Sequence, residues 1–117
     1  MRHLKTLKKL GLKKSHRDSL IKNLIASLVL HGQIRTTEAR AKALAQHFGR
    51  LMSLIQRKET REAIRSASRY CGIQAASEKL INELKPKYAK RTSGFTRITQ
   101  IGLRKGDAAN LVQIELI

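Results

Sequence analysis

Apolar residues fall into helical stripes through the first three quarters of the chain and into alternation near its end. Leu20, Ile21, Leu24, Ile25, Leu28 and Val29 recur at intervals that place them on one helical face. Ser15, three residues before Asp18, predicts a capping-box start, and His31 followed by Gly32 predicts a last-turn residue and a left-handed cap. "QIRT", Gln33 to Thr36, is β-leaning and bounded by Gly32 and a new helix cap, which predicts a short strand. A second helix starts at Thr36 or Thr37, with Glu38 in its first turn and a stripe of Ala41, Leu44, Ala45, Phe48, Leu51, Met52 and Ile55. Gly49 inside it costs about 1 kcal/mol relative to Ala. A third helix from about Thr60 to Tyr70 is expected to bury Ala63, Ile64 and Ala67. After Gly72 a fourth lines up Ala76, Leu80, Ile81 and Leu84 until Pro86 forbids continuation.

Past Ser93 and Gly94 the period shortens to near two. "FTRITQI" and "LVQIEL" flank a turn at "RKGDAAN", and Val112, Ile114 and Leu116 alternate with Gln113 and Glu115. This is the pattern of a hairpin with one face on a core. The order helix, strand, three helices, two strands defines an α+β domain whose helices cover one face of a small sheet. With 117 residues the chain has room for one modest core. The expected division is a basic arm over residues 1–14 and a single globular domain over 15–117.

Charge changes the picture. Lys and Arg exceed Asp and Glu by a formal +17, so a compact state repels itself unless anions surround it. The excess is concentrated in two blocks. Arg2, Lys5, Lys8, Lys9, Lys13, Lys14, Arg17 and Lys22 face only Asp18, and Lys85, Lys87, Lys90, Arg91, Arg97, Arg104 and Lys105 face no acid at all. Glu38, Glu59, Glu62, Glu78 and Glu83 sit between the blocks, which predicts a balanced folded middle flanked by two anion-facing regions.

Other chemistries find little support. "GLRKGD" lacks the strand, loop and helix setting of a phosphate loop, and Glu59 with Glu62 reads as a solvated, ion-paired helix face. His3, His16, His31 and His47 lack the close spacing of metal ligands, and the lone Cys71 reads as a small packing residue. No catalytic residue, metal or cofactor is expected. "LIASLVL", Leu24 to Leu30, falls far short of the roughly 20 residues of a bilayer span. Lys22 and Asn23 break any secretory signal, and basic bias that returns near the end is not what a targeting peptide explains.

A polyanion remains, and nucleic acid fits best. Lys and Arg neutralise phosphates and release condensed counterions. With only two Tyr and two Phe in the chain, an aromatic platform for stacked bases is not expected, so recognition should run through shape and backbone. The opening "LKTLKKLGLKKSHR", residues 4 to 17, has too little helix before Gly11 to anchor at a membrane. It reads instead as an extended arm with lysines on phosphates and leucines on a partner or the core. A free DNA-compacting protein and a peripheral membrane protein are the rival readings.

The segments "MRH", "SHR" at 15–17, "NLIASLVLHGQIRTTEARAKAL" at 23–44, "KLINELKPKYAKR" at 79–91 and "GFTRITQIGLRKGDAANLVQIEL" at 94–116 together resemble the bacterial large-subunit ribosomal protein L-seventeen family. The most specific piece is Ile34, Thr36, Thr37, Arg40, Ala41 and Lys42, with Leu51, Met52 and Ser53. The chain departs from the pattern at Gly49, where an acid is usual, and in the leucines of its arm. The resemblance implies a two-layer α/β fold with a three-stranded mixed sheet. It also implies a structural role in the large subunit, on ribosomal RNA near the mouth of the peptide exit tunnel, beside proteins such as L-thirty-two. Neither a membrane nor a small-molecule substrate belongs to that picture, and the setting is the cytoplasm or an organelle whose ribosomes the family also serves. Matched positions expected to touch RNA are Arg2, His3, His16, Arg17, Thr36, Thr37, Lys42, Arg91, Thr96, Arg97, Arg104 and Lys105. To these the charge pattern adds Lys5, Lys8, Lys9, Lys13, Lys14, Lys22 and Arg35.

Overall fold

The computed structural model describes residues 9–117. Helix α1 spans Lys14–His31, two residues earlier than the Ser15 cap predicts. The Lys13 carbonyl takes the first helical bond, from the Arg17 N–H at 2.9 Å, and no side chain caps the end. Ser15 and Asp18 stay exposed and the predicted capping box is not formed. At the other end Gly32 adopts φ 78° and donates its N–H to the Leu28 carbonyl, the left-handed closure that a residue without Cβ accepts most readily.

Strand β1, Gln33–Thr37, leads directly into α2, Glu38–Arg57, with Thr37 at the N-cap position. The expected stripe of α2 is buried apart from the partly covered Ala45. Helix α3, Thr60–Cys71, buries Ala63, Ser66, Ala67 and Cys71. Ile64, expected inside, is 47% exposed and lines a surface concavity beside Ile73 and Ile81. Helix α4, Gln74–Lys79, continues through a π-helical turn at Leu80–Leu84 into the short α5, Lys85–Lys87. Pro86 therefore does not end the helix where expected. The wide turn before it relieves the clash that a proline ring makes with the preceding carbonyls, and the chain stays helical for one more residue.

Strands β2, Thr96–Leu103, and β3, Asn110–Leu116, form the predicted hairpin with a bulge between Gln100 and Gly102. The sheet order is β1-β3-β2 and both pairings are antiparallel. The mixed sheet implied by the family resemblance is not what forms. The hairpin makes β2 and β3 antiparallel, β1 also runs against β3, and the two strands that share a direction are kept apart by β3 between them. Val112 and Ile114 of β3 are buried against the helices, and Ile34 packs beside them. Strand β2 is an open edge, with Ile98, Ile101 and Leu103 exposed.

Aromatic rings close the core where the helices meet the sheet. Phe95 meets Tyr88 edge-on at 5.4 Å and Phe48 at 6.5 Å between ring centroids. The Tyr88 hydroxyl donates to the Ile117 carbonyl at 2.8 Å, so the one polar atom of this cluster is satisfied as its burial requires. Several lysines serve the fold rather than a ligand: Lys79 donates to the Leu30 carbonyl and Lys85 to the Lys58 carbonyl, both at 3.3 Å, where helix ends leave carbonyls unpaired.

Candidate nucleic-acid interface

The cations expected from the sequence occupy separate places. Lys9, Lys13, Lys14, His16 and Lys22 are exposed on and before the first half of α1, and Arg17 is half-buried there. The far end of this 18-residue helix is tied to the sheet by the Leu116 N–H on the Gly32 carbonyl at 2.9 Å, which sets the N-terminal cations roughly 25 Å from the strands. Arg2, His3, Lys5 and Lys8 lie outside the described residues. Leu10 does meet the expectation of a leucine resting on the core, and it takes a left-handed φ of 57° in the turn before α1.

The sheet gathers a second group. Directly paired residues of antiparallel strands point to the same face, so the Gln33, Glu115 and Arg97 row and the Arg35, Gln113 and Thr99 row share the face away from Val112 and Ile114. Arg35 and Arg97, on the two edge strands, thus stand on one solvent face. Arg97 is partly neutralised by Glu115, 3.8 Å away. Thr36 and Thr37 are half-buried at the end of β1, and neither hydroxyl caps α2. Lys42 is paired with Glu38 at 2.8 Å, and the same carboxylate accepts from Asn110 Nδ2 at 3.1 Å. Thr96 is half-buried at the start of β2.

At the hairpin tip, Arg104 grips Asp107 through two hydrogen bonds, and the Asp107 carboxylate also accepts from the Ala109 N–H at 3.2 Å. The guanidinium bond, reinforced by that backbone donor, holds the Asp107 carboxyl down at about 2. Backbone bonds join Arg104 to Ala108 and Ala109, both at 2.9 Å, and Ala108 sits at φ 55°. Arg104, expected to pair with phosphate, also braces its own turn. Lys105 beside it is exposed. Arg91 donates to the Gly94 carbonyl at 2.9 Å and lies 6.0 Å from the Tyr88 ring centroid, shaping the loop that leads into β2.

A cationic region that the sequence reading passed over lies on the helices. Two adjoining concavities of about 400 and 300 Å³ share His47 and Tyr70. Arg50 and Arg57 of α2 line one, and Lys22 of α1 and Arg69 of α3 line the other. Asp18 is the one carboxylate among the lining residues. Among the described residues, none of these four cations is within ion-pair distance of an acid, unlike Lys42, Arg97 and Arg104. Burial, then Arg50 and Arg17, lower the His47 pKa against the opposing pull of Asp18, favouring the uncharged imidazole.

Tyr70 is the exception among the rings. Phe48, Tyr88 and Phe95 are buried, but Tyr70 is 40% exposed with the Arg69 guanidinium 6.0 Å from its centroid. A helical reading finds the α2 side of this region, since His47, Arg50, Leu54 and Arg57 follow intervals of three and four. Counting charges over the middle of the chain hides it, because the acids there do not line the concavities. Cys71, next to Tyr70, is buried as the sequence suggested, and burial pushes its thiol up to about 11. Among the described residues no helix is long and apolar enough to cross a membrane.

Comparison with known proteins gives this arrangement a context. The family model described as Ribosomal protein L17 matches residues 20–117. The large ribosomal subunit protein bL17 of Sulfurimonas denitrificans is 38% identical over 117 residues, all of this chain and all of that protein. Its namesake from Desulforapulum autotrophicum is 40% identical over 117 residues, 100% of this chain and 97% of that protein. The one from Carboxydothermus hydrogenoformans is 41% identical over 109 residues, 93% of this chain and 96% of that protein.

Proposed function

The chain belongs to the ribosomal protein L17 family, and from that premise we propose that it is a structural constituent of the large ribosomal subunit that holds ribosomal RNA by phosphate and shape contacts near the peptide exit tunnel. The observation that carries the RNA contact is the placement of exposed cations at separated positions, on α1 and on the far face of the sheet, in a chain of net charge +17. A small protein with cations on more than one side suits insertion between RNA elements better than docking on a single surface. In this reading Arg17, Lys22, Arg35, Arg97 and Lys105 meet phosphates, and Thr36, Thr37 and Thr96 donate to backbone oxygens. Residues 1–14 form an arm that enters the RNA ahead of a single domain over 15–117, with neighbouring ribosomal proteins such as L-thirty-two beside it. No catalytic step belongs to this role.

The test is affinity measured across salt concentrations, for the full chain with large-subunit ribosomal RNA and with duplex DNA of equal length. Log affinity for RNA should fall with log salt by about 0.7 to 0.9 per phosphate neutralised, and RNA should be preferred. A flat response or a preference for the DNA duplex would contradict the reading. A chain lacking residues 1–14 should keep a folded core and incorporate poorly into large subunits; incorporation at the full-length level would remove the arm from the mechanism.

A further inference from the structure

We propose that the cleft between the first half of α1, the middle of α2 and the end of α3 receives a single unpaired RNA nucleotide, its base against Tyr70 and its flanking phosphates on Lys22, Arg50 and Arg57. The proposal rests on the RNA-binding reading above and adds a second kind of contact to it.

Three features of the cleft point to an unpaired base rather than to duplex backbone. Its floor is apolar, made by the buried Ile21, Ile25 and Leu51 with Leu54, whereas phosphate contact alone needs no such floor. The volumes of about 400 and 300 Å³ are at the scale of small-ligand sites, and a base within a duplex cannot leave its stack to enter them. Tyr70 is the one exposed phenolic or phenyl ring among the described residues, held with Arg69 near one face, so that a base can stack on the other.

The rim supplies the charge. Lys22, Arg50, Arg57 and Arg69 stand around the cleft without carboxylate partners, so their binding to phosphate breaks no ion pair within the described protein. Asp18, one helical turn before Lys22 on α1, makes the phosphate contact there weaker than the contacts at Arg50 and Arg57 on α2. His47, where the two concavities meet, offers its ring nitrogens to a base edge.

The experiment uses the full chain and two RNA hairpins that differ by one bulged 2-aminopurine. The bulged RNA should bind more tightly by about 5- to 100-fold, the range expected when one base stacks on one ring, with a change in 2-aminopurine fluorescence on binding. Tyr70→Ala should erase both the preference and the fluorescence change while leaving affinity for the bulge-free hairpin as it was, and Tyr70→Phe should restore both. Arg50→Gln should weaken the bulged complex and reduce its salt dependence. Equal affinity for the two RNAs, or a bulge preference that survives Tyr70→Ala in a folded variant, would overturn the cleft assignment and leave the broader RNA reading standing. Failure of the wild-type chain to bind either hairpin at low salt would instead overturn that reading and the cleft with it.

Discussion

The hairpin and the helical cleft are both cationic, yet they use their charges differently. On the hairpin Arg104 is clamped by Asp107 and Arg97 leans on Glu115. In the cleft Lys22, Arg50, Arg57 and Arg69 have no such partners among the described residues. A count of basic residues ranks the hairpin segment first, since no acid occurs between Lys85 and Lys105. Pairing across the fold reverses that order, because Asp107 and Glu115, just outside the segment, fold back on it. A charge available to a phosphate is one the protein has not already used.

The largest effect should come from the cleft. Replacing Lys22, Arg50 and Arg57 together by Gln should lower the slope of log RNA affinity against log salt by about 2 to 3, one phosphate for each. The corresponding change at Arg97 and Arg104 should lower it by less, and a larger drop for the hairpin pair would invert the comparison. Next in size is the clamp itself. If Arg104 acts mainly as a brace, Arg104→Ala and Asp107→Ala should both speed hydrogen exchange at the Ala108 and Ala109 amides and both weaken RNA binding. If it is mainly a phosphate ligand, Asp107→Ala should free it and tighten binding.

Two smaller effects sharpen the background. Gly49→Ala should stabilise the chain by about 0.5 to 1 kcal/mol in urea unfolding, since Gly49 lies inside α2 with nothing within 4 Å of a Cβ placed there. A destabilised variant would mean that the glycine is required by packing beside the loop that leads into β2. Cys71, buried with its thiol raised to about 11, should react with a thiol reagent at pH 8 only as fast as the chain unfolds. Rapid labelling of the native protein would show that the end of α3, which carries Tyr70, opens on its own.

Much of the fold was legible because periodicity records burial directly. The stripes of α1 and α2, the left-handed close at Gly32 and the alternation of β3 all follow from residues whose spacing leaves one side for the core. Where the reading failed, a non-local contact decided. Ile64 has helical spacing but lines an open concavity beside Ile73 and Ile81, and Pro86 is passed by a π-helical turn that no residue pattern announces. Strand direction was misjudged because it depends on which strand lies between the others, and that is settled by pairing between residues as far apart as Gln33 and Glu115. The candidate site was legible in sign and not in place. Basic blocks marked the ends, whereas Arg50 and Arg69 become neighbours of Lys22 only when α1, α2 and α3 pack together.

The most direct measurement is sedimentation of a gently lysed extract through sucrose gradients at low and at high salt, following this protein by antibody. Co-migration with the large ribosomal subunit that survives the salt wash is the predicted result, because contacts distributed over separate faces of an embedded protein do not release together. Recovery near the top of the gradient, or with membrane or nucleoid fractions, would contradict the account.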